Sequence, residues 1–208
     1  MRVSLRSLWL KALVCTLVIA GCTAAAVAQT SDRIGAGTFL IAPRHAADPS
    51  FAETVVLLVR MDNSGALGLV INRLTNVPVS VVLPDYKPAS QNKDHAFSGG
   101  PVQQESLLAL YRSSRKIEGA SPVFQDVYLV STRAALDRVL RLKTDAHNLR
   151  VYLGYTGWGP GQLQHEMDLN VWRVLPADAD TIFAADPSAV WQQLIERTEL
   201  RFALNTLR

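Results

Sequence analysis

The chain has 208 residues, 49% of them hydrophobic and 19% charged, which is ample material for one globular core. Its formal charge of +3 is accounted for by Arg2, Arg6 and Lys11, so the remainder is neutral and the basic balance gives no sign of a nucleic-acid-binding face. Both cysteines, Cys15 and Cys22, lie before the expected domain, which excludes a disulfide framework, a thiolate nucleophile and a cysteine zinc site within it.

The N-terminus reads as an export signal. Three positive residues precede the apolar run Ala12–Ala20, which has the length of a secretory h-region. Two processing routes fit. Ile19-Ala20-Gly21-Cys22 has the form of a lipobox in which Cys22 is acylated, whereas Ala26-Val27-Ala28 offers small residues at alternate positions for ordinary cleavage after residue 28. A retained anchor over Ala12–Ala28 is the plain alternative. The expectation is a signal over residues 1–28, a small polar tether over 29–37 and one domain over 38–208. The protein is then periplasmic and tethered to a membrane by a lipid.

Phe39–Ala42 is a first strand stopped by Pro43, and Asp48-Pro49-Ser50-Phe51 has turn chemistry. Thr54–Arg60 and Ala66–Asn72 form a hairpin-like pair around Met61–Gly65; Val55–Val59, apolar without alternation, is covered on both faces. Pro78–Leu83 fits a short helix or an edge segment, and Pro84–Asp94 reads as a polar surface loop. Strands are expected at His95–Ser98, Ser106–Arg112 and Val127–Val130. Ser131-Thr132 then caps a helix to about Leu142, with Ala135, Leu136, Val139 and Leu140 on one face. Val151–Leu153 leads into a loop with Gly154, Gly157, Gly159 and Gly161, followed by a helix over Gln162–Asp168 and a strand over Asn170–Leu175. Asp186-Pro187 opens a helix that buries Val190, Trp191, Leu194 and Ile195; Leu200–Arg208 either extends it or folds back as a strand. Many strands with few scattered helices predict an α+β fold: a single compact domain with a mixed, largely antiparallel β-sheet and a few packed helices.

Reactive constellations are sparse. Ser98-Gly99-Gly100 lacks the G-x-S-x-G elbow because residue 96 is Ala. His165-Glu166 lacks the second histidine of the zinc motif, since residue 169 is Leu, and His45, His95 and His147 have no ligand spacing. Glu166 and Asp168, two apart on a helix, point to different sides. No metal, cofactor or catalytic group is assigned. Gly157-Trp158-Gly159-Pro160-Gly161 fits neither nucleotide-binding glycine pattern. It reads either as a packed turn with Trp158 as an apolar lid, or as a site where N–H groups around Gly161 and Gln162, the Gln162 amide and the Trp158 ring hold a small polar or anionic ligand.

These segments together resemble the YqgE/AlgH family of bacterial proteins. The matching features are Phe39–Ala42, Asp48-Pro49-x-Phe51 leading to Val55, Gly68-Leu69-Val70-Ile71-Asn72-Arg73, Gly99-Gly100-Pro101-Val102, and Tyr155-x-Gly157-Trp158-Gly159-Pro160-Gly161-Gln162-Leu163. The resemblance spans nearly all of residues 38–208 and implies a compact α+β domain in which the two glycine loops approach each other. It implies no established reaction; members are described as regulators, including of exopolysaccharide production. It also implies a cytoplasmic location, against the export signal read here, and an exported domain cannot touch DNA. The expected function is a small-molecule- or partner-binding regulatory module, with a candidate site at Ser98, Gly99, Gly100, Gly154, Thr156, Gly157, Trp158, Gly159, Gly161 and Gln162. The alternative is an enzyme using the same cleft, with Ser98 or Glu166 as its reactive group.

Overall fold

A computed structural model describes residues 34–46, 48–84, 95–142 and 146–206. The expected signal, its cleavage points, the Cys22 acylation site and the loop from residue 85 to Asp94 lie outside them. Residues Ile34–Arg208 make one compact unit. The last part of the expected tether is already engaged with it: the Gly37 amide donates to Leu58 O at 2.9 Å, and Gly37 O accepts from Ala177 at 2.9 Å.

Ten strands form a curled sheet: β1 (Thr38–Ile41), β2 (Val55–Asp62), β3 (Gly65–Val70), β4 (Leu74–Pro78), β5 (His95–Ser98), β6 (Val102–Arg112), β7 (Ser121–Phe124), β8 (Val127–Val130), β9 (Leu149–Trp158) and β10 (Arg173–Pro176). Their order is β10-β1-β2-β3-β9-β6-β8-β7, with the β4–β5 pair branching from β9. Every pairing is antiparallel except β5 with β9. Strand β9 is shared: β6 runs along one edge, while β5 at Tyr152 and Leu153 and then β3 at Thr156–Trp158 take the other. The sheet curls until β7 meets the start of β1, where a Cβ on Gly37 would stand 2.8 Å from that of Phe124.

Alternation along the strands divides the apolar residues among three clusters. Phe39, Leu57, Leu69 and Tyr152 fill the inside of the curl, closed by Ile182 of α4 (Ala179–Ile182) and by Val190, Trp191, Leu194 and Ile195 around the start of α5 (Val190–Thr206). On the outer face of β1–β3, Leu40, Val56, Leu58 and Val70 are covered by Trp158, Trp172 and Leu163 of α3 (Gln162–Asp168). Behind β6, β8 and β9, α1 (Val79–Val82) and α2 (Arg133–Arg141) cover Ala109, Val130 and Val151. The unbroken Val55–Val59 run is therefore buried on both faces, as its lack of alternation predicts.

Local signals act where the sequence places them. Thr132 caps α2 through Ala135 N at 3.2 Å, Asp48 caps the 3₁₀ turn Pro49–Phe51, and Asp186 caps Pro187–Ala189 ahead of α5. Leu200 and its neighbours continue α5 to Thr206 rather than folding back. Helix α5 is pinned to the chain after β1: Trp191 Nε1 donates to Ala42 O at 2.8 Å, and Arg44 makes a two-pronged pair with Glu199 at 2.8 and 2.9 Å. Three elements carry no strong sequence signal: β4, the Pro122-bearing edge strand β7, and the one-turn α4.

Among the described residues, one buried side-chain polar group lacks a hydrogen-bond partner. The Tyr152 hydroxyl lies inside the central cluster with no hydrogen-bond partner, and burial raises its pKa above the ordinary phenol value, against a smaller lowering by Arg150. Tyr152→Phe is expected to raise stability by about 1 kcal/mol in urea unfolding, since the buried hydroxyl gains no bond in the folded state. The parent phenol ionises first in the unfolded chain, so folding stability falls as pH rises above about 10. The variant is expected to lose that component of alkaline sensitivity.

Candidate functional site

The Gly99-Gly100 turn crosses β9 backbone to backbone at Gly154 and Tyr155. After β5, the Gly99 amide donates to Leu153 O at 2.8 Å and Gly99 O accepts from Val70 at 2.9 Å, which ties β3 and β9 together through one residue. Gly100 has φ +151° and its missing Cβ would overlap the Tyr155 carbonyl; Gly154 has φ +71° and its missing Cβ would lie 2.6 Å from Gly100 O and 2.9 Å from Val102 O. Each glycine leaves room for the other strand's backbone, and Gly154 also needs the left-handed conformation. Ser98 sits in register with Leu153, and Thr156 is buried with its hydroxyl on Gly68 O at 3.1 Å.

Strand β6 answers this crossing with a wide bulge. Val102 pairs with Tyr155 and Leu107 pairs with Leu153, so four residues on β6 lie between pairs that Gly154 alone separates on β9. Gln103 takes φ +45°, its side-chain carbonyl accepts from Ser106 Oγ at 3.1 Å, and Gln103, Gln104 and Glu105 stand exposed.

The expected long glycine loop is shorter than its sequence suggests. Gly154 and Gly157 belong to β9, and only Gly159-Pro160-Gly161 turns into α3. Trp158 is 7% exposed and packs on the outer face of β1–β3; its indole N–H donates to Glu166 Oε2 at 2.8 Å. Trp172 donates to the same oxygen at 2.8 Å, and the Gln162 amide donates to Glu166 Oε1 at 3.1 Å. Gln162 Oε1 in turn accepts from Gly159 N at 3.1 Å, and Gln162 N donates to Gly159 O at 3.1 Å. Of the main-chain donors expected to be open here, that of Gln162 is spent internally, as are those of Gly159 and Gly99, and Pro160 has none to offer. The candidate residues also separate into two groups. Ser98, Gly99, Gly100 and Gly154 meet at the crossing, whereas Trp158, Gly159, Gly161 and Gln162 lie with α3 at the far end of β9.

The carboxylate of Glu166 is thus an acceptor for two indoles and an amide, not a group poised beside Ser98 on β5. The four histidines fall on separate segments, and no group of three metal-ligating side chains occurs among the described residues.

Open space lies beside the bulge. A hollow of about 350 Å³ has walls of Val82, Leu83, Leu107, Val130, Leu136 and Leu153, with Glu105, Thr132 and Arg133 as its polar lining. Glu105 projects from the bulge, while Arg133 opens α2 and pairs with Asp137 at 2.8 Å. Leu153 links this hollow to the crossing, because it pairs with both Ser98 and Leu107. Sequence reading passed over these residues. The available signal was the polar run Gln103–Ser106 directly after a Gly-Gly-Pro turn and before an apolar strand, the pattern of a bulge.

The AlgH-like family matches residues 39–203. A UPF0301 protein of Streptomyces avermitilis is 32% identical over 171 residues, covering 81% of this chain and 89% of the relative. Another, from Thioalkalivibrio sulfidiphilus, is 32% identical over 169 residues, covering 80% and 90%. The solution structure of the AlgH protein from Pseudomonas aeruginosa superposes with TM-score 0.66 at 30% identity, covering 86% of this chain and 97% of that one. A crystal structure from Corynebacterium diphtheriae shares the fold, with TM-score 0.68 at 22% identity over 79% and 87% of the two chains.

The Glu166 node gives a direct test. Glu166→Ala strands two largely buried indole N–H groups and is expected to cost about 2–3 kcal/mol in urea unfolding, with a shift in tryptophan fluorescence. Glu166→Gln keeps an acceptor oxygen and is expected to lose less.

Proposed function

The chain belongs to the AlgH-like family, and from that premise we propose that it is a regulatory binding module which recognises a small molecule or a partner's side chain without transforming it. The observation that carries this reading is the hollow between α1, α2 and the β6 bulge. Its walls are apolar and its few polar groups, Glu105 of β6 and Thr132 and Arg133 at the start of α2, converge on it from two elements, the composition expected of a small-ligand site. The glycine crossing supports it by fixing where the bulge stands, so Ser98, Gly99, Gly100 and Gly154 serve the site as its frame. Both charge signs occur in the lining, which suits an amphiphilic ligand with a polar head and an apolar body.

The protein is exported and held at the periplasmic side of a membrane by acylation of Cys22. Supporting this are the Arg2, Arg6 and Lys11 charges, the apolar run and the Ile19-Ala20-Gly21-Cys22 sequence, all before the family match begins at residue 39. In that compartment nucleic acid is not its partner.

A metabolite panel read by thermal shift is expected to return at least one stabilising compound, because a ligand that binds only the folded state raises its stability by mass action. Leu107→Trp, which fills the hollow, is expected to abolish that shift while leaving the unliganded melting temperature within a few degrees; no response from the parent across the panel sinks the reading. Radiolabelled palmitate is expected to enter the parent and an Ala28→Asp variant but not Cys22→Ala; equal labelling of all three, or of none, overturns the anchor.

A further inference from the structure

We propose that the hollow takes a small aliphatic primary amine, with its ammonium group at Glu105 and its hydrocarbon body against the leucine and valine walls. This names the ligand class of the binding site given above and rests on that reading. The walls are aliphatic throughout: Val82, Leu83, Leu107, Val130, Leu136 and Leu153. Among the described residues no aromatic ring lines the space, so a nucleobase or another flat ring has nothing to stack on. Val82, Leu107 and Leu153 are only partly buried, which leaves apolar surface that a hydrocarbon chain would remove from water. A space of about 350 Å³ stands near the lower end of ligand sites, about 300–1,000 Å³, and suits a short chain rather than a lipid.

The sign of the head group follows from which lining charges are already matched. Arg133 has its Nε on Asp137 Oδ1 at 2.8 Å, a pair one turn apart on α2. Thr132 is occupied as the cap of that helix, its hydroxyl oxygen accepting from Ala135 N. Glu105 differs. It is exposed on the β6 bulge, and among the described residues its carboxylate has neither an ion pair nor a hydrogen bond. The unmatched charge at the hollow is therefore negative, and an ammonium group complements it. A carboxylate head fits worse. Arg133 and the start of α2 would attract one, but Asp137 offsets Arg133, Thr132 closes the Ala135 amide and Glu105 repels it. The far end of the ligand has to be neutral, because a second charge there would lie against leucine and valine without a partner.

The test titrates hexylamine, hexanoate, hexanol and 1,6-diaminohexane into the ¹⁵N-labelled protein at neutral pH, where an alkyl amine is protonated, and follows the amide resonances. Hexylamine is expected to move the amides of Leu107, Leu136 and Leu153 and to bind at least about threefold more tightly than the other three probes. Glu105→Gln is expected to weaken hexylamine about threefold while leaving hexanol unchanged, a split that a general loss of structure would not produce. Leu107→Trp is expected to abolish binding of both. Tighter binding of hexanoate than of hexylamine, equal binding of hexylamine by parent and Glu105→Gln, or shifts confined to residues away from the hollow overturns the proposal. The two readings fail separately. Hexanol or hexanoate binding that Leu107→Trp abolishes, without preference for the amine, sinks the amine assignment and leaves the hollow a ligand site. No binding of any of the four probes also sinks the amine assignment, and the metabolite panel then decides the site.

Discussion

The architecture depends on one close approach, the meeting of Gly100 and Gly154. Strand β9 has to serve β6 on one edge and both β5 and β3 on the other. At the point where β5 gives way to β3, the turn after β5 must pass against β9 with no side chain between them. Any Cβ at Gly100 would overlap the Tyr155 carbonyl, and one at Gly154 would crowd Gly100 O. Two glycines from separate parts of the chain therefore solve a single steric problem, and the sheet divides around the point where they meet.

That meeting also redirects side chains. Leu149, Val151 and Leu153 face α1 and α2, and Tyr152 faces the central cluster. Strict alternation would send Trp158 inward with Tyr152. Instead Gly154 takes a left-handed conformation, Tyr155 packs toward the central cluster, and Trp158 reaches the outer face of β1–β3. A single irregular residue thus exchanges the faces of the strand. It delivers the Trp158 indole to Glu166, and the Trp158–Trp172 edge-on contact at 6.3 Å follows. Without the exchange, α3 would have no aromatic lid to cover.

What could be read from the sequence was what local chemistry decides. The continuous apolar run Val55–Val59, the Thr132 cap and the Gln162–Asp168 helix all appear where periodicity and capping put them. What could not be read depended on partners distant in sequence. Strand β7 gains its place by pairing with β8 and meeting Gly37, a relation absent from the four residues Ser121–Phe124 themselves. The glycines of β9 resemble a loop in sequence because composition records conformational freedom; that Gly154 and Gly157 are held in a ladder depends on β3 and β6. The same blindness affected the candidate site. A glycine-rich segment before a helix suggests open N–H groups, but whether they are open depends on Gln162 Oε1 and Leu153 O, which no local pattern reveals.

The most distinctive residues therefore build the frame, and ordinary ones line the space. Leu107 and Leu153 are a register pair across β6 and β9, and the bulge before Leu107 stands against the glycine crossing. A ligand in the hollow would press on walls whose backbone positions are already fixed, so little ordering cost would be charged against its affinity. The exposed rim is Gln103 to Glu105, of which Glu105 borders the hollow directly. On the proposed reading, regulation works through what that rim presents to a partner once Glu105 is engaged, while the sheet beneath it stays as it is.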